Sequence, residues 1–428
     1  MKKLVLLWFT CIHCLLIFSQ SNIFPLQPQH VHGSTLAELP NGDILVAWFQ
    51  GSGERQADDV VIMGARLEKN TGKWSPPFLM ADVSGFPDIN PVLFLDPEQR
   101  LWLVWYTVLS NQWETSLLKY RQSDNYLNPG APVWKWQDVI HMKPGGETEQ
   151  GIGPDDPFVV AVRTKFEEYA QLLEKVDFFS KMGETDAHTA RQRFEARIAT
   201  INDLAMGKDW MARGKGTDSL GNVVSKEMGY PRFRRLGWQT RNKPIFLANG
   251  RMILPLYSDG FDFSLMAITD DGGQNWKFSE PLVGLGPVQP TLLQRKDGTI
   301  VALMRDNGPP PQRLMESHST DGGFHWSVVV DSKIPNPGSA ADALQLTDGP
   351  WLLVHNDTED GRHSLAVSMS NDEGKTWQLL KHLETDSGAR SHYPAIIQSR
   401  DGRVHVVYSF HKKNSEGEEL KTIRYVTW

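Results

Sequence analysis

The segments TDDGGQNW (Thr269–Trp276), STDGGFHW (Ser319–Trp326) and SNDEGKTW (Ser370–Trp377) share one pattern, Ser/Thr-x-Asp-x-Gly-x-x-Trp, which we call the box motif. The copies recur about every 50 residues, and such a period in a strand-rich chain is typical of a β-propeller. The aspartate can accept backbone N–H bonds in a turn, the glycine allows a positive φ angle, and the tryptophan supplies an apolar plug. A calcium loop of the form D-x-D-x-D-G would need acidic or asparagine residues at three successive alternate positions, which none of the three copies has. We therefore interpret the box motifs as structural turns.

The composition narrows the class of protein. A net charge of −7 over 428 residues is too small to indicate a nucleic-acid partner. Tryptophan is unusually frequent, with 15 copies, which fits aromatic-rich strands or surfaces that stack on sugars. Both cysteines, Cys11 and Cys14, lie in an apolar N-terminal segment, so we expect a mature chain without disulfides or thiolate chemistry.

The N-terminus has the layout of an export signal. Lys2 and Lys3 precede the apolar run Leu4–Phe18, which small residues follow. This order predicts a signal peptide, residues 1–21, cleaved before Asn22, and a secreted or periplasmic protein. The apolar run is short for a membrane span, so we expect none in the mature protein.

One strand-turn-strand phrase recurs six times after residue 21. Its copies start at Ser34, Asn90, Lys243, Gln289, Ala341 and Tyr393. Apolar runs flank turns such as Asn41-Gly42 and Asp401-Gly402, a strong signal for β-hairpins. The six copies predict an all-β fold, a six-bladed β-propeller over residues 22–428. The box motifs then fall at the outer hairpins of blades three to five.

An insertion of different character separates the second and third phrases. Residues 143–238 interrupt the period, and apolar residues recur there at helical spacing in Phe166–Val176 and Ala190–Leu204. We predict a helical hairpin packed on the propeller, its first helix opened by a capping box at Thr164. It could serve as a lid, a dimer contact or simple packing. The polar, glycine-containing stretch Arg213–Gly229 is predicted to be a loop.

The starts of the six phrases should meet at the propeller axis, because the innermost strand of each blade begins there. The residues concerned are His32–Ser34, Asn90, Arg241–Lys243, Gln289, Asp342 and Tyr393. Nearly all are polar, and convergent polar groups in a concave centre are the default hypothesis for a binding site. His30 and His32 have a spacing seen in metal ligands, but the sequence indicates no third ligand, so we predict no metal and no other cofactor.

The chain resembles the sialidase (neuraminidase) superfamily, especially its bacterial sialidase-like proteins with Asp boxes. The resemblance covers Gln29–Trp428 outside the insertion. It rests on the order of the phrases, with their Asp-Gly hairpins, and on the last blade, SHYPAIIQSRDGRVHVVYSF (Ser391–Phe410). It implies a six-bladed propeller with the active site at its central mouth and a glycan or oligosaccharide as substrate.

The resemblance also implies roles for individual residues. Sialidases bind the sialic acid carboxylate with three arginines and use a tyrosine nucleophile assisted by a glutamate. Tyr393 matches the nucleophile, and Arg313 and Arg362, upstream of the second and third box motifs, match two arginines. His32 stands where the family has its first arginine, and Gln289 where it has the glutamate. A glutamine cannot act as a base, and a missing arginine weakens carboxylate binding.

The general acid of the family, an aspartate, lies after the first hairpin. Asp58 or Asp59 occupies that stretch here, and Glu54 is a neighbouring candidate.

The sequence and the resemblance lead to three alternative functions. The first is a retaining glycoside hydrolase that releases sialic acid or a related acidic sugar, with His32, Arg241, Gln289, Asn90 and Asp342 as further substrate contacts. The second is a polysaccharide lyase or hydrolase acting on uronic-acid-containing chains, in which His32 or His392 and Tyr393 exchange protons. The third is a glycan-binding propeller without catalysis.

Overall fold

The structure is a computed structural model that describes residues 18–146, 151–179, 184–208, 211–217, 220 and 223–428. Within these residues, six antiparallel sheets form the blades of a propeller, and one further hairpin stands apart from them. The predicted six-bladed β-propeller is therefore confirmed. None of the described helices combines the length and apolar character that a membrane crossing requires.

The first strand of each blade lies nearest the axis. Blade one consists of β2 (His30–Glu38), β3 (Ile44–Gly51), β4 (Val61–Leu67) and β5 (Phe78–Ala81). Blade two consists of β6 (Asp88–Leu95), β7 (Leu101–Val108), β8 (Ser116–Ser123) and β9 (Trp136–Val139). Blade three has its innermost strand in two short segments, β12 (Gln239–Thr240) and β13 (Ile245–Phe246), which both pair with the second strand, β14 (Met252–Ser258); β15 (Phe263–Thr269) and β16 (Lys277–Phe278) follow.

The remaining blades follow without interruption. Blade four consists of β17 (Pro287–Gln294), β18 (Ile300–Asp306), β19 (Arg313–Ser319) and β20 (Val330–Pro335). Blade five consists of β21 (Asp342–Gln345), β22 (Trp351–His355), β23 (Leu365–Ser370) and β24 (Gln378–Glu384). Blade six consists of β25 (Ala389–Gln398), β26 (Val404–Lys413), β27 (Glu419–Thr427) and β1 (Ser19–Asn22).

The second strand of each blade is buried along almost its whole length. β7, with the sequence LWLVWYTV, is buried at every position, and its Trp102 and Trp105 are fully covered. Trp351 on β22 is likewise fully buried. These strands read as continuous apolar runs because both of their faces contact protein.

The box motifs lie between the third and fourth strands of blades three to five, as predicted. In each motif the aspartate accepts a bond from the backbone N–H four residues later, at 2.9 Å for Asp271, 3.1 Å for Asp321 and 2.8 Å for Asp372. Trp326 folds back into the core and donates its indole N–H to the Gly323 carbonyl at 2.9 Å. The motifs are turns that fasten the outer hairpins.

The N-terminal strand completes blade six. β1 pairs antiparallel with β27, from Ser19 opposite Thr427 to Asn22 opposite Arg424. The predicted cleavage position lies inside β1, so a cut before Asn22 would leave only one of its four residues. The first 17 residues lie outside the described part of the chain, and the signal peptide stays a prediction.

The insertion contains helices α1 (Pro157–Lys175), α2 (Glu184–Ala205) and α3 (Arg232–Arg235). The capping box predicted at Thr164 is wrong, because α1 begins two turns earlier. There Asp156 accepts the backbone N–H groups of Phe158 and Val159, and Pro157 occupies the first helical position. The ring of Phe158 packs edge-on to Phe261, which joins α1 to blade three.

The loop predicted for Arg213–Gly229 is also wrong. β10 (Met211–Thr217) and β11 (Val223–Gly229) pair antiparallel along seven residue pairs. The segment lacks the apolar alternation that marks a strand with one buried face, so its hairpin escaped the sequence pattern.

We expect Gly273→Ala to destabilise the fold more than Gly250→Ala. Both glycines have φ angles near +90° (91° and 86°), so alanine brings a similar backbone strain of about 1 kcal/mol at each. A Cβ at Gly273 would lie 2.5 Å from Cη2 of Trp102, whereas a Cβ at Gly250 meets nothing within 4 Å. Overpacking should add about 1–3 kcal/mol at Gly273. Urea unfolding measures both losses, and equal losses would show that the box glycine has no packing role.

Candidate functional site

Irregular innermost strands aim side chains at the axis. The pairing register of the first strand with the second shifts in blades one, two, four and six. At each shift one residue has a positive φ angle: 63° at Gly33, 46° at Asn90, 54° at Gln289 and 55° at Tyr393. A bulge of this kind re-aims a side chain, and the last three of these residues all line the central cavity.

The central cavity has a volume of about 620 Å³ and is lined by residues from every blade. This volume is ordinary for a site that holds a small ligand. The polar residues that line it include His30, Glu54, Asn90, Tyr257, Asp259, Gln289, Arg305, Arg362, Arg390, His392, Tyr393 and His411. It is a concave polar site at the mouth of the propeller.

Tyr393 lies in this cavity with two N–H donors on its phenolic oxygen. Gln289 donates through Nε2 at 3.1 Å, and Arg305 donates through Nη1 at 3.2 Å. Arg305 also lies 3.4 Å from Oε1 of Gln289, which fixes the amide so that its NH₂ group faces Tyr393 and Tyr257. Both N–H groups thus point at the phenolic oxygen of Tyr393.

Three arginines line the cavity, and only one of them was predicted. The guanidinium of Arg362 lies 5.8 Å from the centre of the Tyr393 ring, and its Nη2 donates to the Gly338 carbonyl at 2.7 Å. Arg305 and Arg390 were missed. Hairpin register could have found Arg305, because it pairs with Val288, the neighbour of Gln289.

Arg313, predicted to hold the carboxylate, does not line the cavity. Its Nη1 lies 2.6 Å from Oε1 of Glu359, and it also donates to the carbonyl of Gln312. It belongs to the third strand of blade four, one strand farther from the axis than Arg305 on β18. The assignment of Arg313 to the site is corrected to Arg305.

The loop between β3 and β4 turns Glu54, and neither of the two aspartates, towards the cavity. Asp58 and Asp59 are exposed, and Asp59 accepts bonds from the backbone and hydroxyl of Ser52. Oε1 of Glu54 lies 3.1 Å from Nε2 of His30. Burial alone would raise the pKa of Glu54, but the bond and charge of His30 bring this pKa below its ordinary value. The predicted placement of Asp58 or Asp59 in the site is therefore wrong, and of the three acid candidates on this loop only Glu54 lines the cavity.

A second cavity carboxyl, Asp259, was not singled out from the sequence. Burial raises its pKa above the ordinary aspartate value, against the opposing charge of Arg305 and a hydrogen bond from Gln239. Among the carboxyl groups that line the cavity, Glu54 and Asp259 have pKa values that move in opposite directions. Such pairs are candidates for proton transfer.

Arg241, predicted to contact the substrate, does not line the cavity. Arg241 is fully buried, donates to the carbonyls of Ser34 and Pro394, and lies 5.1 Å from the centre of the Tyr393 ring. Its side chain therefore positions the floor of the cavity, and the prediction of a direct substrate contact is corrected.

Asp342 is also buried and does not line the cavity. It accepts bonds from Lys243 at 2.6 Å, from the hydroxyl of Thr291 at 2.9 Å and from the backbone of Ile396 at 2.9 Å. These partners belong to blades three, four and six, so Asp342 joins blades rather than contacting a ligand.

His32 lies at the blade-one edge of the cavity, with its ring centre 4.1 Å from that of Tyr393. Asn90 donates to the hydroxyl of Tyr106 at 3.1 Å, and its Oδ1 lies next to Gly33. Both residues lie where the phrase starts predict, although their roles stay predictions.

Comparisons with known proteins agree with this architecture. A family model described as a BNR repeat-like domain matches residues 42–161 and 225–406. An anhydrosialidase from Macrobdella decora is 25% identical over 199 residues, which are 41% of this chain and 25% of that protein. The chain therefore aligns with only about a quarter of that relative's length.

Solved structures share the fold at low sequence identity. A protein of unknown function from Dyadobacter fermentans superposes with a TM-score of 0.59 at 14% identity, covering 95% of this chain and 97% of that chain. Trypanosoma rangeli sialidase, solved with the inhibitor DANA, gives a TM-score of 0.60 at 10% identity, covering 96% of this chain and 59% of that chain.

Proposed function

The chain belongs to the BNR repeat-like domain family, and from that premise we propose that it is a retaining glycoside hydrolase that removes a terminal acidic sugar, sialic acid or a relative, from glycans. One observation carries the proposal: Tyr393 lies between the cavity arginines Arg305 and Arg362, with two N–H donors on its phenolic oxygen. A nucleophile and a carboxylate-binding pair thus meet in one cavity. The sialidases of similar fold support this choice of substrate.

The proposed reaction has two steps. Arg305 and Arg362 bind the sugar carboxylate, since a planar guanidinium matches a carboxylate in a bidentate manner. Tyr393, having lost its proton to solvent, attacks the anomeric carbon as the glycosidic bond breaks, and the departing oxygen takes a proton from a cavity carboxyl group, Glu54 or Asp259. Water then attacks the same carbon, that carboxylate takes the proton of the water, and the Tyr393 oxygen leaves.

Gln289 has a different task from the glutamate that the resemblance implies at its position. Its amide cannot accept the phenolic proton, but it donates to the phenolic oxygen together with Arg305. We infer that Gln289 stabilises the anionic nucleophile instead of generating it.

The proton donor has two candidates within the cavity. Glu54 lies on the loop where the resemblance places the acid, and this position supports it. Asp259 competes, because its raised pKa helps it to keep a proton. The variants Glu54→Gln and Asp259→Asn distinguish these two candidates.

A second candidate function is supported by the imidazoles beside Tyr393. The rings of His32 and His392 have their centres 4.1 Å and 6.0 Å from that of Tyr393. In a uronate lyase, one of these groups would remove the C5 proton while an arginine neutralises the carboxylate. An unsaturated product, seen as a rise in ultraviolet absorbance on acidic polysaccharides, would favour this function over hydrolysis.

We also propose export from the cytoplasm, supported by the sequence of residues 1–21. Determining the N-terminus of the protein recovered from the periplasm or medium would test both the export and the position of the cut.

We expect Tyr393→Phe to lower kcat by more than about 10³-fold, because it removes the nucleophilic oxygen. Product release from sialosides and related acidic glycosides, followed by mass, gives the rate. Tyr120→Phe is the control, since it removes a hydroxyl outside the cavity that accepts from Trp136. Intact glycan affinity without turnover in the wild type would instead identify a binding propeller.

We expect Glu54→Gln to lower kcat by about 10²–10⁴-fold, the usual effect of losing a general acid. Asp59→Asn should leave the rate within about twofold, because this carboxylate is exposed and bonded to Ser52. A substrate with an activated leaving group needs less protonation and should restore most of the loss. If Asp259→Asn shows the loss and the rescue while Glu54→Gln does not, Asp259 is the donor.

We expect Arg305→Met to weaken binding of the acidic sugar by about 10–100-fold, the usual effect of losing a charged hydrogen-bond pair. Arg313→Met should leave affinity unchanged, because Arg313 pairs with Glu359 away from the cavity. Titration calorimetry with the free sugar measures both. Equal effects of the two variants would contradict this assignment of the carboxylate site.

A further inference from the structure

We propose that His32, His392 and His411 bind one divalent transition-metal ion, zinc or an ion of similar chemistry, at the edge of the cavity between blades one and six. One nitrogen of each imidazole lies within 4.8 Å of the others, and all three side chains are buried. The residues come from β2, β25 and β26, so three separate strands bring them together. The sequence had shown only His30 and His32.

The hydrogen bonds of His411 leave one nitrogen lone pair free, and those of His32 can do the same. Nε2 of His411 lies 3.1 Å from the carbonyl of Val31, which can only accept, so the proton sits on Nε2 and Nδ1 keeps its lone pair. Nδ1 of His32 lies 2.8 Å from the hydroxyl of Ser409, and when this hydroxyl accepts the Nδ1 proton the lone pair stays on Nε2. Metal-binding histidines are commonly oriented through their second nitrogen in this way.

The third imidazole lacks partners. Neither nitrogen of His392 has a hydrogen-bond partner among the described residues, although the side chain is only 4% exposed. Buried polar groups are nearly always satisfied, and an ion at this position would satisfy one of these nitrogens. Burial also lowers the pKa of all three histidines, which favours the neutral form that ligates metals.

The ligand type and number suggest the ion. Three imidazole nitrogens with a vacant fourth position are typical of catalytic zinc, at 2.0–2.1 Å per bond. Tetrahedral geometry places the nitrogens roughly 3.3 Å apart, so binding would draw the rings together by at most about 1.5 Å. Oε2 of Glu419 lies 4.0 Å from Nδ1 of His411 and adds negative charge there, while Oε1 of the same carboxylate pairs with Arg390.

The metal ion would supply the positive charge of the arginine that His32 replaces. His32 stands where the resemblance expects the first carboxylate-binding arginine, and both His32 and the guanidinium of Arg362 lie near the Tyr393 ring, at 4.1 Å and 5.8 Å from its centre. A cation held by His32 would restore the missing positive charge and leave one position open to a substrate carboxylate. This role rests on the proposed function, whereas the metal site itself does not.

Metal binding is tested on the full chain after removal of metal with a chelator. Zinc uptake is measured by equilibrium dialysis with elemental analysis, and cobalt(II) serves as an absorbing probe of tetrahedral nitrogen ligation. Wild type should bind one equivalent. His392→Gln and His411→Gln should each weaken binding by about 100-fold or more. His382→Gln, a half-exposed histidine paired with Asp357, should bind as wild type does.

The outcomes separate the site from the proposed function. No uptake by wild type, or uptake by folded His392→Gln equal to that of wild type, overturns the metal site. Stoichiometric uptake together with acidic-sugar hydrolysis that falls on metal removal supports both the site and its role. Uptake without hydrolysis of any acidic glycoside leaves the site standing and contradicts the proposed function. Uptake with hydrolysis unaffected by metal removal contradicts only the carboxylate-binding role.

Discussion

Left-handed backbone at Asn90, Gln289 and Tyr393 is the constraint on which the cavity depends. Such a conformation costs a residue with a side chain about 1–3 kcal/mol, and it persists only where the surroundings impose it. Here each residue interrupts the pairing of an innermost strand and precedes a proline, which has no N–H to contribute to the ladder. In return, side chains from blades two, four and six reach one cavity. Regular strands would alternate these side chains between the two faces of each blade.

The repeat of the propeller could be predicted because its signals are local. The box motif and the Asn-Gly or Asp-Gly turns depend on a few adjacent residues, so their period reveals the number of blades. Which other residues line the cavity depends instead on the register of strand pairing and on the shape of the loops. Arg313 was chosen by its distance from a box motif, yet Arg305 lies on the strand nearer the axis. Nine residues connect β3 to β4, and no pattern indicates that Glu54 faces inward while Asp59 faces solvent.

In the insertion, too, local sequence patterns predicted the elements, whereas tertiary contacts decided their boundaries. Helical periodicity indicated both long helices, but the start of α1 was set by Asp156 and by the packing of Phe158 on blade three. The insertion also reaches the cavity wall. Arg197 on α2 contacts Asp262, which accepts from Asn307 at 2.9 Å, and the latter two residues line the cavity. A segment outside the repeat thus helps to position one side of the site.

The contact of the segment after residue 22 with β27 has a consequence for the order of folding. The backbone of Ile23 bonds that of Ile423, and Gln27 bonds Lys421, so these bonds join residues about 400 positions apart, whereas the other strands of each blade pair within short hairpins. Local hairpins form quickly, and closure of so long a loop is slow and entropically unfavourable. The blades should therefore accumulate as an open arc before the ring closes. Because His32 belongs to blade one and His392 and His411 to blade six, their cluster forms across the final seam, and its appearance would report completion of the ring.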